Sequence, residues 1–161
     1  MKILILGCGN AKFSADLYDD GYKNITNVDI SSVVIQQMIE KNKSERPEMT
    51  WQVMDITDMS AFATDSFDLA IDKSTIDALL CGDDFLLNVA LMLKETQRVL
   101  KPGGHYFAIS YGKPENRRSH FIRGFLSWTR REFILYKEKS ESELEKKEIE
   151  TEEKEIQAEE K

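Results

Sequence analysis

Four apolar residues, Ile3-Leu4-Ile5-Leu6, run straight into Gly7-Cys8-Gly9, and this junction limits the fold more than any other stretch. A run that is apolar at every position, rather than at alternate ones, suits a strand buried on both faces, the condition of a parallel sheet with helices above and below. Two glycines directly after such a strand allow a tight turn with backbone conformations closed to other residues.

The rest of the chain repeats this rhythm. Phe13 and Leu17 stand one helical turn apart, and Gly21 can end that helix. "NITNVDI" predicts a second strand ending at Asp29, and Ser31 or Ser32 can cap a helix with Val34, Ile35, Met38 and Ile39 on its apolar face. "MTWQVMD", with Met49, Trp51 and Val53 alternating, predicts a third strand, and "FDLAID", with Phe67, Leu69 and Ile71, a fourth. Asp83 or Asp84 can cap the longest helix, which places Leu86, Val89, Ala90, Leu93 and Leu100 near one face and stops at Pro102-Gly103-Gly104; "HYFAISYG" follows as strand five. Strands alternating with helices give an α/β fold with a mainly parallel sheet and helices on both faces. Past Gly112, "KPENRRSHFIR" predicts an exposed loop, and "FLSWTRREFILYKE" a long strand or short hairpin.

Charge divides the 161 residues into two parts. Residues 138–161 hold eleven Glu and five Lys, so they account for −6 of the net charge of −7. With only Leu144, Ile149 and Ile156 as large aliphatics, this stretch predicts an acidic Glu/Lys-rich tail, a solvated helix or disordered, after a domain at 1–137. Two cysteines, Cys8 and Cys81, make neither a disulfide framework nor a metal site. They point to a reducing, cytoplasmic location, and no apolar run is long enough for a membrane span.

A glycine turn alone needs nothing more than a flexible backbone. Asp29 adds to it. It lies 20 residues after Gly9 at the end of a strand, where a carboxylate can accept from both hydroxyls of a ribose; it would equally suit the start of the next helix. Lys12 stands where a dinucleotide fingerprint has its third glycine, and no G-K-[ST] loop is present. These departures favour a ligand without phosphate. Asp55-Ile56, after strand three, can offer a carboxylate to an adenine amino group and an apolar neighbour to its ring. Together Gly7, Gly9, Asp29 and Asp55 point to an adenosyl group such as that of S-adenosylmethionine.

At this point the chain resembles a known family, the class I (seven-strand) S-adenosylmethionine-dependent methyltransferases. "LILGCGNAKFS", "ITNVDIS", "MDITDM", "FDLAIDKSTIDALL" and "LKPGGHYFAISYG" follow that Rossmann-like fold in order and spacing over about residues 2–136. The G-C-G-N-[SA] turn, the D-K-[GS]-T-[LI]-D-A run after strand four and the P-x-x-R segment after strand five are similar to the methyltransferase-like group that contains lysine methyltransferases of elongation factor 1-alpha and of citrate synthase. The resemblance implies that Gly7 and Gly9 approach the methionine and ribose of the cofactor. It places Asp29 and Ile30 at ribose and adenine, Asp55 and Ile56 at the adenine edge, and Lys73 against the cofactor. Asp72 falls where such enzymes often turn a residue toward the substrate amine; a local ion pair with Lys73 is the plainer alternative. "DKST" is not the D-P-P-Y pattern of nucleobase amino-methyltransferases, so nucleic acid is not the expected substrate. Members of the group carry helical sequence before the first strand, so this chain is expected to be an N-terminally truncated version lacking that cover.

The implied activity is protein-lysine N-methylation. Such a site aligns a nucleophile with an already activated methyl group and excludes water. A lysine must also lose a proton from an amine whose ordinary pKa is about 10.4. Two other classes stay open. One is a non-catalytic cofactor-binding or partner module. The other is a nicotinamide oxidoreductase, which Lys12 and the lack of a second domain disfavour. The basic run of Lys113, Arg117, Arg118, Arg123, Arg130 and Arg131 lacks the aromatic pattern of single-strand nucleic-acid binding.

Overall fold

The computed structural model describes residues 1–135, so the acidic tail and the boundary at residue 137 lie outside the described residues. Residues Met1–Trp128 form one compact unit. Its elements are β1 (Ile3–Leu6), α1 (Phe13–Asp19), β2 (Ile25–Asp29), α2 (Ser32–Asn42), β3 (Thr50–Val53), β4 (Phe67–Lys73), α3 (Thr75–Leu79), α4 (Phe85–Val99), β5 (Leu100–Ile109) and α5 (Pro114–Phe121). The strands lie in the order β3-β2-β1-β4-β5, and every pairing is parallel.

β1 explains the all-apolar run, because its residues alternate between two cores. Leu4 and Leu6 pack with Val28, Phe67 and Ala70 against Ile76 of α3 and Val89, Met92 and Leu93 of α4. Ile3 and Ile5 pack with Ile25, Leu69 and Ile71 against Tyr18 of α1 and Ile35 of α2. Helices therefore cover both faces, and each buried aliphatic contributes about 1.5–3 kcal/mol of transfer free energy. β3 closes one side of the described sheet. Met49 and Trp51 reach the α1–α2 core as the alternation predicts, but Val53 is exposed.

Local signals worked at two helix ends and failed at a third. Ser31, not Ser32, caps α2, its Oγ accepting from the Val34 N–H at 3.3 Å. Gly21, at φ +105°, follows the end of α1. Asp84 occupies the N-cap position of α4 without any side-chain cap bond, in a left-handed conformation at φ +52°. Leu86 is exposed rather than on the buried face. Leu100 is not helical either: it opens β5 and pairs with Phe67. The ladder resumes at Leu69 opposite His105, so Pro102-Gly103-Gly104 forms a bulge inside β5 instead of ending a helix. The backbone is tight here, since a Cβ on Gly104 would lie 2.9 Å from the Lys101 carbonyl oxygen.

The region after β5 differs from expectation. Pro114 opens a helix, α5, where a loop was predicted, as suits proline at a first helical position. Residues 122–135 contain no strand. Two backbone groups of this stretch find a side-chain partner: Gln97 on α4 donates to the Phe125 carbonyl at 3.0 Å and accepts from the Ser127 N–H at 2.8 Å. Trp128 packs against Tyr106, the rings tilted by 42° with centroids 5.3 Å apart. Residues 129–135 belong to a second unit and carry an Arg130–Glu132 ion pair at 2.9 Å.

Candidate cofactor and active site

All five strands point their carboxyl ends at one edge, and hydrogen bonds sew those ends together. Met54 N–H reaches the Asp29 carbonyl at 2.9 Å, and Cys8 N–H reaches the Val28 carbonyl at 2.9 Å. The Thr75 hydroxyl donates to the Leu6 carbonyl at 2.8 Å, and Ser74 N–H reaches the Ile109 carbonyl at 2.8 Å. Between β1 and β4 the chain changes direction across the sheet, which is where open α/β sheets place their ligands.

The two glycines of the turn do different work. Both have positive φ, +62° at Gly7 and +54° at Gly9. A Cβ on Gly7 would overlap the Thr75 side chain, so this glycine is required by the protein's own packing. A Cβ on Gly9 would meet nothing within 4 Å. Gly9 therefore presents bare backbone to open space.

Asp29 is bound to that turn. Its Oδ2 accepts from the Gly9 N–H and its Oδ1 from the Ser31 N–H, each at 2.9 Å. Each carboxylate oxygen has further acceptor capacity, so the pair can receive a diol while holding the turn. Ile30, next in sequence, is 72% exposed, an apolar surface beside the carboxylate. Ile56 differs: it is buried in the core that includes Leu4 and Met59, and its side chain does not offer the face that Ile30 does. Asp55 is exposed, its Oδ1 accepting from the Thr57 N–H at 2.9 Å and the Thr57 hydroxyl at 2.7 Å. Cys8 is buried, and burial together with the Asp29 charge pushes its thiol up to about 12. It is a neutral packing group rather than a nucleophile.

Asp72 does not open toward a substrate in this structure. It is fully buried at the end of β4. Its Oδ1 accepts from the Thr75 N–H at 2.6 Å, its Oδ2 from the Ile76 N–H at 3.0 Å and from the Tyr106 hydroxyl at 3.1 Å. The carboxylate thus caps the start of α3, a role to which its proximity to a helix start in sequence could have pointed. Burial raises its pKa to about 6 against the pull of these donors, and the Tyr106 hydroxyl is held well above its ordinary value by burial and by Asp72. Nor is there an Asp72–Lys73 ion pair: Lys73 is exposed and its ammonium makes no hydrogen bond or ion pair among the described residues.

Sequence reasoning missed a cluster that joins two of its own motifs. Asp77, from the D-K-S-T-I-D-A run, receives Arg117 Nη2, from the P-E-N-R segment, at 2.8 Å. Asp77 also accepts from the Ser110 hydroxyl and, at 3.0 Å, from the Tyr111 N–H. Burial works against ionisation, but Ser110 and Arg117 outweigh it and hold the Asp77 carboxyl below its usual value. Forty residues separate the partners, and only their shared position at the carboxyl edge could have revealed them.

With this geometry in place, likeness to known proteins decides the family. A family profile described as "Methyltransferase domain" matches residues 4–108. The chain belongs to that family. This methyltransferase domain is 49% identical over 111 residues to the eEF1A lysine and N-terminal methyltransferase of Bos taurus, covering 68% of this chain and 16% of that protein. It is 33% identical over 138 residues to EEF1A lysine methyltransferase 4 of Mus musculus, covering 81% of this chain and 53% of that one. The chain therefore spans about a sixth of the first relative and about half of the second. Among solved structures, the PH0226 protein of Pyrococcus horikoshii OT3 aligns at TM-score 0.58 and 33% identity, over 66% of this chain and 47% of that one. An S-adenosylmethionine-dependent methyltransferase of Mesorhizobium loti aligns at 0.53 and 25%, over 65% and 44%.

S-adenosylmethionine is the cofactor of this family, and the open backbone at Gly9, the Asp29 carboxylate and the exposed Ile30 fit it. When bound, it supplies a methyl group already activated on a sulfonium. Among the described residues no cluster of His, Cys, Asp and Glu could hold a metal ion, and no helix is long and apolar enough to cross a membrane.

Proposed function

We propose that this chain binds S-adenosylmethionine through Gly9, Asp29, Ile30, Asp55 and Lys73, and that it serves methylation of a lysine amine on a protein. The observation that carries the binding assignment is Gly9, a positive-φ glycine with open space before it and an N–H held by Asp29. The choice of a protein amine rests on the relatives, which are named for lysine and N-terminal methylation of eEF1A.

In this reading the chain's residues bind and orient. Asp29 takes the ribose hydroxyls, Ile30 covers one side of the adenine, and Asp55 accepts from the adenine amino group. Lys73 reaches toward the methionine end. The amine to be methylated must arrive neutral. Asp72, enclosed by its own donors, supports α3 and the strand end rather than receiving that proton.

That enclosure favours a second reading, a module that binds cofactor without turning it over. One experiment separates the two. The 161-residue chain is titrated with S-adenosylmethionine and with NAD by calorimetry, then supplied with radiolabelled cofactor and recombinant elongation factor 1-alpha. Binding of S-adenosylmethionine with label transferred to a lysine supports catalysis. Binding without transfer to this or any fractionated lysate protein supports the module, and failure to bind S-adenosylmethionine overturns both.

A further inference from the structure

Seven consecutive residues, Cys81 to Leu87, are exposed at the turn between α3 and α4. Three of them are large and apolar: Phe85 at 42%, Leu86 at 54% and Leu87 at 58% exposure. None of the three belongs to either core cluster. Exposed large apolar residues scattered singly are ordinary; three in succession at the open first turn of α4, bordered by Asp83 and Asp84, are a denser apolar exposure.

The topology fixes where this surface lies. β4 and β5 are parallel neighbours, so the helix connecting them must run back across the sheet. The first turn of α4 is therefore on the carboxyl edge, the edge that holds Gly9, Asp29 and Lys73. The charge beside the surface is specific. Asp83 and Asp84 precede Phe85 directly, both are exposed, and neither carboxylate makes a hydrogen bond or ion pair among the described residues. Asp84 stands at the helix N-cap without capping it, so both carboxylates remain available to a cation from outside.

We infer that Asp83, Asp84, Phe85, Leu86 and Leu87 form the docking surface for the protein substrate, and that the segment seated there carries a basic residue beside apolar ones. The apolar trio takes the apolar side chains, and the two carboxylates take the ammonium or guanidinium. Such a segment would lie along the carboxyl edge, next to the site where a lysine is to be methylated. The inference rests on the lysine-methylation reading for the identity of the partner, while the surface itself rests on exposure, unpaired charge and topology.

The test uses the full 161-residue chain and three short synthetic peptides: one with lysine between leucines and phenylalanine, one with that lysine replaced by glutamate, and one with the apolar residues replaced by serine. Binding is read by fluorescence anisotropy for the unsubstituted chain, for Leu86→Gln with Leu87→Gln, and for Asp83→Asn with Asp84→Asn. Glutamine is a good helix former, and asparagine tolerates the left-handed backbone at position 84. S-adenosylhomocysteine affinity, measured in parallel, reports on the cofactor site and the fold. The expected result is that only the lysine–apolar peptide binds, and that each double variant weakens it about tenfold or more. Cofactor affinity stays unchanged, and the effect of the aspartate variant shrinks at high salt. Equal peptide binding in all three proteins, or equal binding of the glutamate peptide, overturns the inference. So does sedimentation showing that the leucine variant abolishes a dimer of the unsubstituted chain, since the surface would then join two copies. If the unsubstituted chain fails to bind S-adenosylhomocysteine, the methyl-transfer reading falls, while the peptide comparison still decides the surface.

Discussion

Arg117 Nη2 lies 2.8 Å from Asp77 Oδ1, and this one contact ties the helix that follows β4 to the helix that follows β5. The guanidinium also reaches the Ser110 hydroxyl at 2.9 Å and covers Gly112, where a Cβ would overlap it. Two segments on opposite sides of β5 in sequence are thereby held at one rim of the site. Neither charge is fully enclosed, with side-chain exposures of 22% and 18%, so the pair fixes geometry without the large desolvation cost of a deep ion pair.

Breaking that contact is expected to lower stability and to change its pH dependence. Arg117→Gln should cost about 1–2 kcal/mol, within the range for partly solvated hydrogen bonds to charged groups. The Asp77 carboxyl is held below its unfolded value, so its contribution is present above the unfolded pKa of about 3.9 and is lost as pH falls through the folded one. Denaturant melts at pH 7 and pH 3 should therefore differ less for Arg117→Gln than for the unsubstituted chain. An unchanged difference would show that Asp77 does not depend on Arg117.

The two turn glycines should separate folding from binding. Gly7→Ala forces a side chain into Thr75 at a left-handed φ and should destabilise the chain by about 2–4 kcal/mol. Gly9→Ala meets no protein atom, so it should cost only about 1 kcal/mol of backbone strain while removing most S-adenosylmethionine affinity. Calorimetry on Gly9→Ala decides the matter: affinity equal to that of the unsubstituted chain would take Gly9 out of the site.

Asp29→Ala should weaken S-adenosylmethionine binding by about 1.5–3 kcal/mol, roughly ten- to a hundredfold. Part of that loss comes from releasing the Gly9 N–H. Asp29→Asn keeps an acceptor for that N–H and should lose less. Asp55→Asn should also do less, because an amide can still accept from the adenine amino group. Unaltered affinity in a folded Asp29→Ala protein would end the ribose assignment.

Asp72 should make the chain less stable as pH rises from about 4 to about 6. Its folded pKa, about 6, lies above the unfolded value, so in that window the folded state holds the proton that the unfolded state has released. At about 1.4 kcal/mol per pH unit this amounts to about 3 kcal/mol. Asp72→Asn should flatten stability between pH 4 and pH 6, measured by urea titration at several pH values. A slope that survives the substitution belongs to another group.

The sequence by itself determined the succession of five strands along the chain, the two-sided burial of Ile3 to Leu6, a serine cap at Ser31 or Ser32, and the position of the glycine turn and Asp29 at strand ends. These are local matters of periodicity, capping and strand-end position, and each is decided within a few residues. Only the tertiary structure decided that Asp72 turns inward to Thr75, Ile76 and Tyr106, that Ile30 is open while Ile56 is buried, and that Gly7 makes room for Thr75. It likewise decided that residues 114–121 coil into a helix, held where Arg117 meets Asp77. Those outcomes depend on which distant donors, acceptors and apolar faces arrive beside a residue once the sheet has formed. The 39 residues of chain between Asp77 and Arg117 carry no mark of the contact that closes them.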